Sequence, residues 1–241
     1  MELSPEFSII IPVYNESKRL PRTIDEICSF FAAANRRAEI IFVNDGSTDN
    51  TLAQLEKYNK QYNFRVISYE RNCGKGYAVR QGAQGALGQW VLFFDIDLAT
   101  PLQEFNHLLQ FKQPGDAIII GSRRLAHSEI KKGESKLRAF LGHGFTKISN
   151  LLVPGVTDFT CGFKGFSSAA AQIIFPRARI NRWGFDTELL YIAHLKKLPI
   201  KQMPVAWTHD SDSRVKVGRA IISSISELGE IVIHRLRGEY Q

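Results

Sequence analysis

Cysteine is scarce: Cys28, Cys73 and Cys161 are odd in number and far apart, which excludes a disulfide framework or a Cys-based zinc site and fits reduced, buried thiols of a cytoplasmic chain. Long apolar runs are missing too. Phe7 to Val13, Trp90 to Phe94 and Ala117 to Ile120 fall far short of the roughly 20 residues a helix needs to cross a bilayer. The opening residues Met1-Glu2-Leu3-Ser4-Pro5 lack the basic-then-apolar order of a secretory signal. Gly-x-Ser-x-Gly, His-Glu-x-x-His and a Gly-x-Gly-x-x-Gly after the first strand are all absent, so serine hydrolase, zincin and dinucleotide readings lack support. The six histidines are scattered, and no repeat or low-complexity segment is visible.

What is present is an ordinary globular composition. The 241 residues are 44% hydrophobic and 23% charged, enough for one large α/β unit with a substantial core. The net charge of +7 points to an anionic partner such as nucleotide phosphates, nucleic acid or a lipid surface. Seven Lys and Arg (Arg123, Arg124, Lys131, Lys132, Lys136, Arg138, Lys147) gather between residues 122 and 147. They lack the basic-aromatic pattern of a nucleic-acid-binding module.

Residues 1 to 121 alternate apolar β-branched runs with amphipathic stretches, the pattern of a βαβ series with a mostly parallel sheet. Strands are expected at Phe7 to Val13, Glu39 to Val43, Phe64 to Ser68, Trp90 to Asp95 and Asp116 to Gly121. Helices are expected at Leu20 to Ala34, with Pro21 in the first turn, and at Thr51 to Tyr62, where Ser47 and Asp49 are capping candidates. Gly76 to Leu87 and Pro101 to Phe111 read as helices as well. Beyond residue 121 regularity fades: Ser135 to Val153 is weakly amphipathic, Phe166 to Ile174 reads as a short helix, and Thr187 to Lys197 and Gly218 to Leu236 read as longer ones.

In such a sheet ligands collect beyond the carboxyl ends of the strands, where loops and helix N-termini present backbone donors. Asp95-Ile96-Asp97 follows the buried-strand run Val91 to Phe94. In extended chain both carboxylates would lean one way while Ile96 enters the core. Two anions in one space need a partner, and a hard divalent cation shared with substrate phosphates, Mg2+ or Mn2+, fits Asp95 and Asp97. Asp45 before Gly46 is either a turn residue or an acceptor for a nucleobase N–H. Lys75 between two glycines lacks Walker spacing, yet at a helix start it would suit a phosphate.

Four segments together resemble glycosyltransferase family 2: Ile10-Ile11-Pro12-Val13-Tyr14-Asn15-Glu16, Val43 to Asp49, Asn72-Cys73-Gly74-Lys75-Gly76 and Asp95-Ile96-Asp97. Within it, Gly121-Ser122-Arg123, Asp158 to Lys164 and Arg182 to Tyr191 resemble the polyprenyl-phosphate hexosyltransferases, the dolichyl-phosphate β-glucosyltransferase group in particular. The resemblance implies an α/β fold of the GT-A type, a Rossmann-like, mostly parallel sheet flanked by helices, as one domain over 1–241. Residues 1–121 would form the nucleotide-sugar-binding half, and 122–241 an acceptor-binding half ending in an amphipathic helix. It further implies that Pro12, Tyr14, Glu16 and Asp45 contact the nucleoside, that Asp95 and Asp97 carry metal and diphosphate, and that Arg123 and Arg214 bind phosphates. Arg214 stands where relatives carry lysine. Ala99, where many mannosyl relatives supply a polar ligand, favours UDP-glucose over GDP-mannose.

The implied reaction is inverting transfer of a hexose from a nucleotide-diphosphate sugar to a polyprenyl phosphate. An acceptor phosphate is already largely dianionic and needs no strong general base, only cations, for which Arg123, Arg214 and Arg138 are candidates. Transfer to a sugar hydroxyl is the alternative; it would need a base, Asp186 or Glu188. A nucleotide-sugar-binding module without turnover is the rival of another class. With no spanning segment, membrane contact is expected to be peripheral, at the cytoplasmic face, through the basic patch, residues 137 to 153 and the last helix.

Overall fold

The computed structural model describes residues 4–34, 36–132, 136–208 and 217–241. In chain order these form β1 (Phe7–Val13), α1 (Leu20–Ala33), β2 (Ala38–Asp45), α2 (Thr51–Tyr62), β3 (Arg65–Tyr69), α3 (Lys75–Gln84), β4 (Trp90–Phe94), α4 (Glu104–Phe111) and β5 (Ile118–Ser122). The second half adds β6 (Glu129–Lys132), α5 (Lys136–Ser149), β7 (Phe163–Ser167), α6 (Ser168–Ile174), α7 (Phe185–Leu195), β8 (Ile200–Pro204), β9 (Ala206–Thr208) and α8 (Val217–Leu236).

Among the described residues seven strands make one sheet in the order β3-β2-β1-β4-β7-β5-β8, while β6 and β9 pair as a short parallel ribbon. Every neighbour in the large sheet is parallel except β7, which runs antiparallel to both β4 and β5. The period-2 alternation of strand side chains divides the core. Ile10, Ile41, Val43, Val91, Phe93, Ile118 and Ile120 face the layer holding α3, α6 and α7. Ile9, Ile11, Phe42, Leu92, Phe94 and Ile119 face the layer of α1 and α4. Both faces are covered, which is why these strands read as continuous apolar runs.

The helices follow from their apolar spacing. Leu20, Ile24, Ile27, Cys28 and Phe31 line the buried side of α1, which opens with proline in its first turn. Asp49 accepts from the Thr51 N–H at 3.0 Å at the start of α2; partial burial opposes its charge, but hydrogen bonds from Thr51 and Ser17 hold its carboxyl down at about 2.

Two readings change. Phe163–Ser167 is a strand, and the helix expected at Phe166 begins only at Ser168. The small and apolar residues after Ser167 favour a helix locally, but the slot between β4 and β5 takes the preceding five residues into the sheet. Strand β4 ends at Phe94, so Asp95 belongs to the turn that follows.

The second half closes through a buried acid. Glu188 is fully buried and accepts the backbone N–H groups of Arg179 and Ile180, both at 2.8 Å, and the Tyr240 hydroxyl at 2.6 Å. It thereby ties α7, the 179–180 segment and the C-terminal residues together. Replacing Glu188 by Ala leaves those donors unmet; we expect a loss of about 3 kcal/mol and a melting temperature lower by several degrees, read by calorimetry.

Candidate active site

The carboxyl ends of β1, β2, β3, β4 and β5 lie along one edge of the sheet, and β7, running the other way, brings its N-terminal end there as well. The loops at this edge are stapled to one another. Asn15, left-handed at φ 55, takes its N–H to Ser47 Oγ at 2.9 Å and accepts from the Thr48 N–H at 2.8 Å, while the Glu16 N–H donates to Thr51 Oγ1 at 2.9 Å. Tyr14 projects at the rim, 43% exposed, Pro12 is half-buried within β1, and the Glu16 carboxylate pairs with Arg19 at 2.5 Å.

Asp45, at the end of β2, is buried and uses both oxygens on the loop before α3. It accepts from Asn72 Nδ2 at 2.8 Å, the Cys73 N–H at 2.8 Å and the Gly74 N–H at 2.9 Å. The described contacts of Asp45 thus position the Gly74-Lys75 turn. At Gly76, one residue into α3, a Cβ would stand 2.5 Å from Phe185 Cβ, so glycine lets the starts of α3 and α7 meet.

Asp95 and Asp97 are carried on a turn closed by the Leu98 N–H donating to the Asp95 carbonyl at 3.1 Å, with Leu98 at φ 50. This replaces the extended arrangement expected from spacing, although Ile96 does enter the core as expected. Lys75 Nζ reaches Asp95 Oδ1 at 2.5 Å. Burial works against the Lys75 charge, but Asp95 and Asp186 outweigh it and hold the ammonium above its ordinary pKa. Asp97 is raised, first by burial and then by the Asp95 charge, and accepts from the Ala99 N–H at 3.0 Å. Across from Asp95, a Cβ at Gly162 would fall 2.0 Å from Oδ2, so only glycine lets the start of β7 pass this close.

Behind this turn lies a fully buried lysine. Lys164 donates to Asp186 Oδ1 at 2.6 Å and to the Cys161 carbonyl at 2.7 Å. Sequence reading quoted it within Asp158 to Lys164 without giving it a role; a lone lysine between Phe163 and Gly165 was the available signal. Around the turn stand Asp95, Asp97 and Asp186 against Lys75 and Lys164, a surplus of acid that the raised Asp97 registers. A pair of partly desolvated carboxylates short of positive charge is a donor set that suits a hard divalent cation. Among the described residues no group of three or more His, Cys, Asp or Glu is arranged for a metal, so a cation here would draw its remaining ligands from substrate and water.

Arg123, just past β5, forks onto Asp158 through Nε at 2.7 Å and Nη2 at 2.8 Å, and Nη2 also reaches Thr160 Oγ1 at 2.8 Å. Its guanidinium lies 5.2 Å from the ring centre of Trp207 in β9, and the next residue, Thr208, donates its N–H to the Ala99 carbonyl at 2.8 Å. Strand β9 thus links the arginine to the segment that follows the acidic turn. Asp158, which sequence reading quoted without a role, fixes the fork. Arg214 and the side chain of Arg138 lie outside the described residues. Neither carboxylate named as a possible base is free: Glu188 is locked as above, and Asp186 is buried on Lys164.

The mostly parallel sheet with an acidic turn after its fourth strand is the arrangement expected of the GT-A fold of glycosyltransferases. Residues 8–175 match the family model described as Glycosyl transferase family 2, and the chain belongs to that family. It is 36% identical to a dolichyl-phosphate beta-glucosyltransferase of Trichomonas vaginalis over 94% of this chain and 71% of the relative. To the Homo sapiens dolichyl-phosphate beta-glucosyltransferase it is 37% identical over 87% of this chain and 69% of the relative. Among solved structures, glucosyl-3-phosphoglycerate synthase from Mycobacterium tuberculosis, crystallised with Mn2+, UDP-glucose and phosphoglyceric acid, shares the fold at TM-score 0.68 and 20% identity, over 94% of this chain and 79% of that one.

The Arg123 fork predicts a pH signature. Burial alone would raise Asp158, but Arg123 overrides it and holds the carboxyl at about 2, below its unfolded value of about 4. A depressed carboxylate stabilises the fold above the unfolded pKa and loses that contribution as pH falls through the folded one. Asp158→Asn should therefore cost on the order of 2 kcal/mol near neutrality, with the gap to the unaltered protein narrowing between pH about 4 and about 2 in denaturant titrations. A gap independent of pH would refute the assignment.

Proposed function

We propose that this chain is an inverting enzyme that moves glucose from UDP-glucose to the phosphate of a dolichyl-type polyprenyl carrier. The observation that carries the reading is the acidic turn Asp95–Asp97 with Lys75 on Asp95, in a chain about a third identical to dolichyl-phosphate beta-glucosyltransferases over most of its length. The acceptor phosphate oxygen forms a bond to the anomeric carbon as the bond from that carbon to the UDP oxygen breaks, and the electron pair leaves with UDP. No proton has to be removed, because a phosphate monoester is largely dianionic near neutrality.

Asp95 and Asp97 would hold a divalent cation, Mg2+ or Mn2+, which when bound neutralises charge gathering on the departing diphosphate. Pro12 in β1, and Tyr14 and Glu16 on the loop after it, are assigned to the nucleoside, with Asp45 shaping the neighbouring loop. Lys75 is assigned to the diphosphate. Arg123, held in place by Asp158, is assigned to the acceptor phosphate; two anions ~4 Å apart repel by about 4 kcal/mol at an effective dielectric near 20, which the site's cations together have to offset. Arg138 and Arg214 are proposed for the same task. The burial of Asp186 and Glu188 weighs against transfer to a hydroxyl, which would require one of them as base.

The acceptor is a lipid, and among the described residues no helix is long and apolar enough to cross a membrane. On α8, Leu228 and Ile231 are buried while Ile225, Val232, Ile233 and Leu236 form an exposed stripe on another face; α5, packed beside it, exposes Phe140 and Ile148. With the exposed Lys147 of α5, this face is proposed to rest on an anionic bilayer. Residues 1–121 serve the donor and residues 122–241 serve the acceptor, within one domain.

With radiolabelled UDP-glucose, dolichyl phosphate and Mn2+, label should pass into the organic phase, and Asp97→Asn should cut turnover by about a hundredfold or more. Label confined to water-soluble glycan would favour a hydroxyl acceptor, and affinity without turnover a binding module. In a separate sedimentation assay, the protein should bind phosphatidylcholine vesicles containing phosphatidylserine, and Ile233→Glu with Leu236→Glu should release it. Undiminished binding would remove α8 from the contact.

A further inference from the structure

We propose that Lys75 is a latch on Asp95: without donor its ammonium occupies the carboxylate oxygen that a divalent cation needs, and cation binding hands Lys75 over to the donor's diphosphate. The latch rests on the reading of Asp95 and Asp97 as the cation site.

The two oxygens of Asp95 are not equally open. Oδ2 faces the backbone of Gly162 so closely that a Cβ there would fall 2.0 Å away, and Oδ1 is held by Lys75 Nζ at 2.5 Å. A cation approaching Asp95 therefore meets Lys75 first. The lysine also stands where a cation needs an anionic partner. It sits in the first turn of α3, the positive end of the helix dipole, where a cation is disfavoured and no acidic residue of that turn offsets it. Acid from outside the helix holds it, and the Phe93 and Phe185 rings lie 6.0 and 5.7 Å from Nζ, within reach of a cation–π attraction.

The neighbouring Lys164 shows the contrast. It is fully buried and has two acceptors, Asp186 and the Cys161 carbonyl, so it is fixed. Lys75 retains some exposure, 18% of its side chain, and Asp95 is its one ion-pair partner among the described residues. An ammonium has three donors. When Asp95 turns to a cation, Lys75 remains near Asp97 and Asp186 with donors to spare for the anion arriving at the helix start.

The consequence is a coupling. Only the unlatched fraction of the protein can bind the cation, so apparent affinity falls in proportion to that fraction. By reciprocity, UDP that captures Lys75 tightens the cation, and the cation tightens UDP, beyond their direct contact with each other. The free enzyme holds its cation weakly, and the complete pair assembles together.

Mn2+ binding, followed by electron paramagnetic resonance without nucleotide, tests this on the unaltered protein and on Lys75→Met. The variant should bind Mn2+ roughly tenfold more tightly or better, and UDP should then tighten Mn2+ less than in the unaltered protein. Equal or weaker Mn2+ binding by the variant overturns the latch. Asp97→Asn separates the two ideas: if Mn2+ binding in the presence of UDP survives that change, the cation site itself is misassigned, whatever Lys75 does. Should Lys75→Met not fold, the unaltered protein still decides. Reductive methylation of Lys75, read by mass spectrometry, should speed up several-fold when Mg2+ is added alone and slow again when UDP follows. A labelling rate indifferent to Mg2+ overturns the latch.

Discussion

Two carboxylates held together at the end of a buried strand repel each other, and the surrounding site answers that repulsion. Lys75 takes one oxygen of Asp95, while Asp97 is left lifted by burial and by its neighbour's charge. Lys164 and Asp186 add a second, fully enclosed ion pair behind them. Carboxylates this close, with Asp97 left raised, make a donor set that suits a hard divalent cation.

The scaffold keeps this cluster from relaxing. Antiparallel β7 fills the gap between β4 and β5, and its register sets Phe163 against Phe94. That places Gly162 against Asp95 and sends Lys164 toward Asp186. Strand pairing fixes position along the sheet to a single residue, because a slip of one would reverse which side chains face each layer. On the other flank, Asp45 draws the loop before α3 inward, so Lys75 starts its helix within reach of the acidic turn.

Much of the donor half was readable in advance. The runs at Phe7, Ala38 and Trp90 announce themselves as strands, and Asp45, Asp95 and Asp97 fall at or just past strand ends, with Lys75 at the helix start beyond the third strand. The second half was less legible. Phe163 to Ser167 carries a lysine and a glycine and leads straight into a helical stretch, so nothing local marks it as a strand. Asp186 and Glu188 stand in the first turn of α7 and looked available for acid-base work. Burial, and partners far away in the chain, made one a counter-ion and the other a structural tie.

The sequence by itself determined which residues would end the parallel strands, and so the chemical character of the site. Hydrophobic period and strand-helix alternation are local, and they hold wherever the chain is placed. Only the tertiary structure decided which charge answers which: Lys75 for Asp95, Lys164 for Asp186, Arg123 for Asp158. Those choices depend on distances across elements 20 to 35 residues apart and on how much water each group has lost, and electrostatic interaction follows distance and dielectric, not order along the chain.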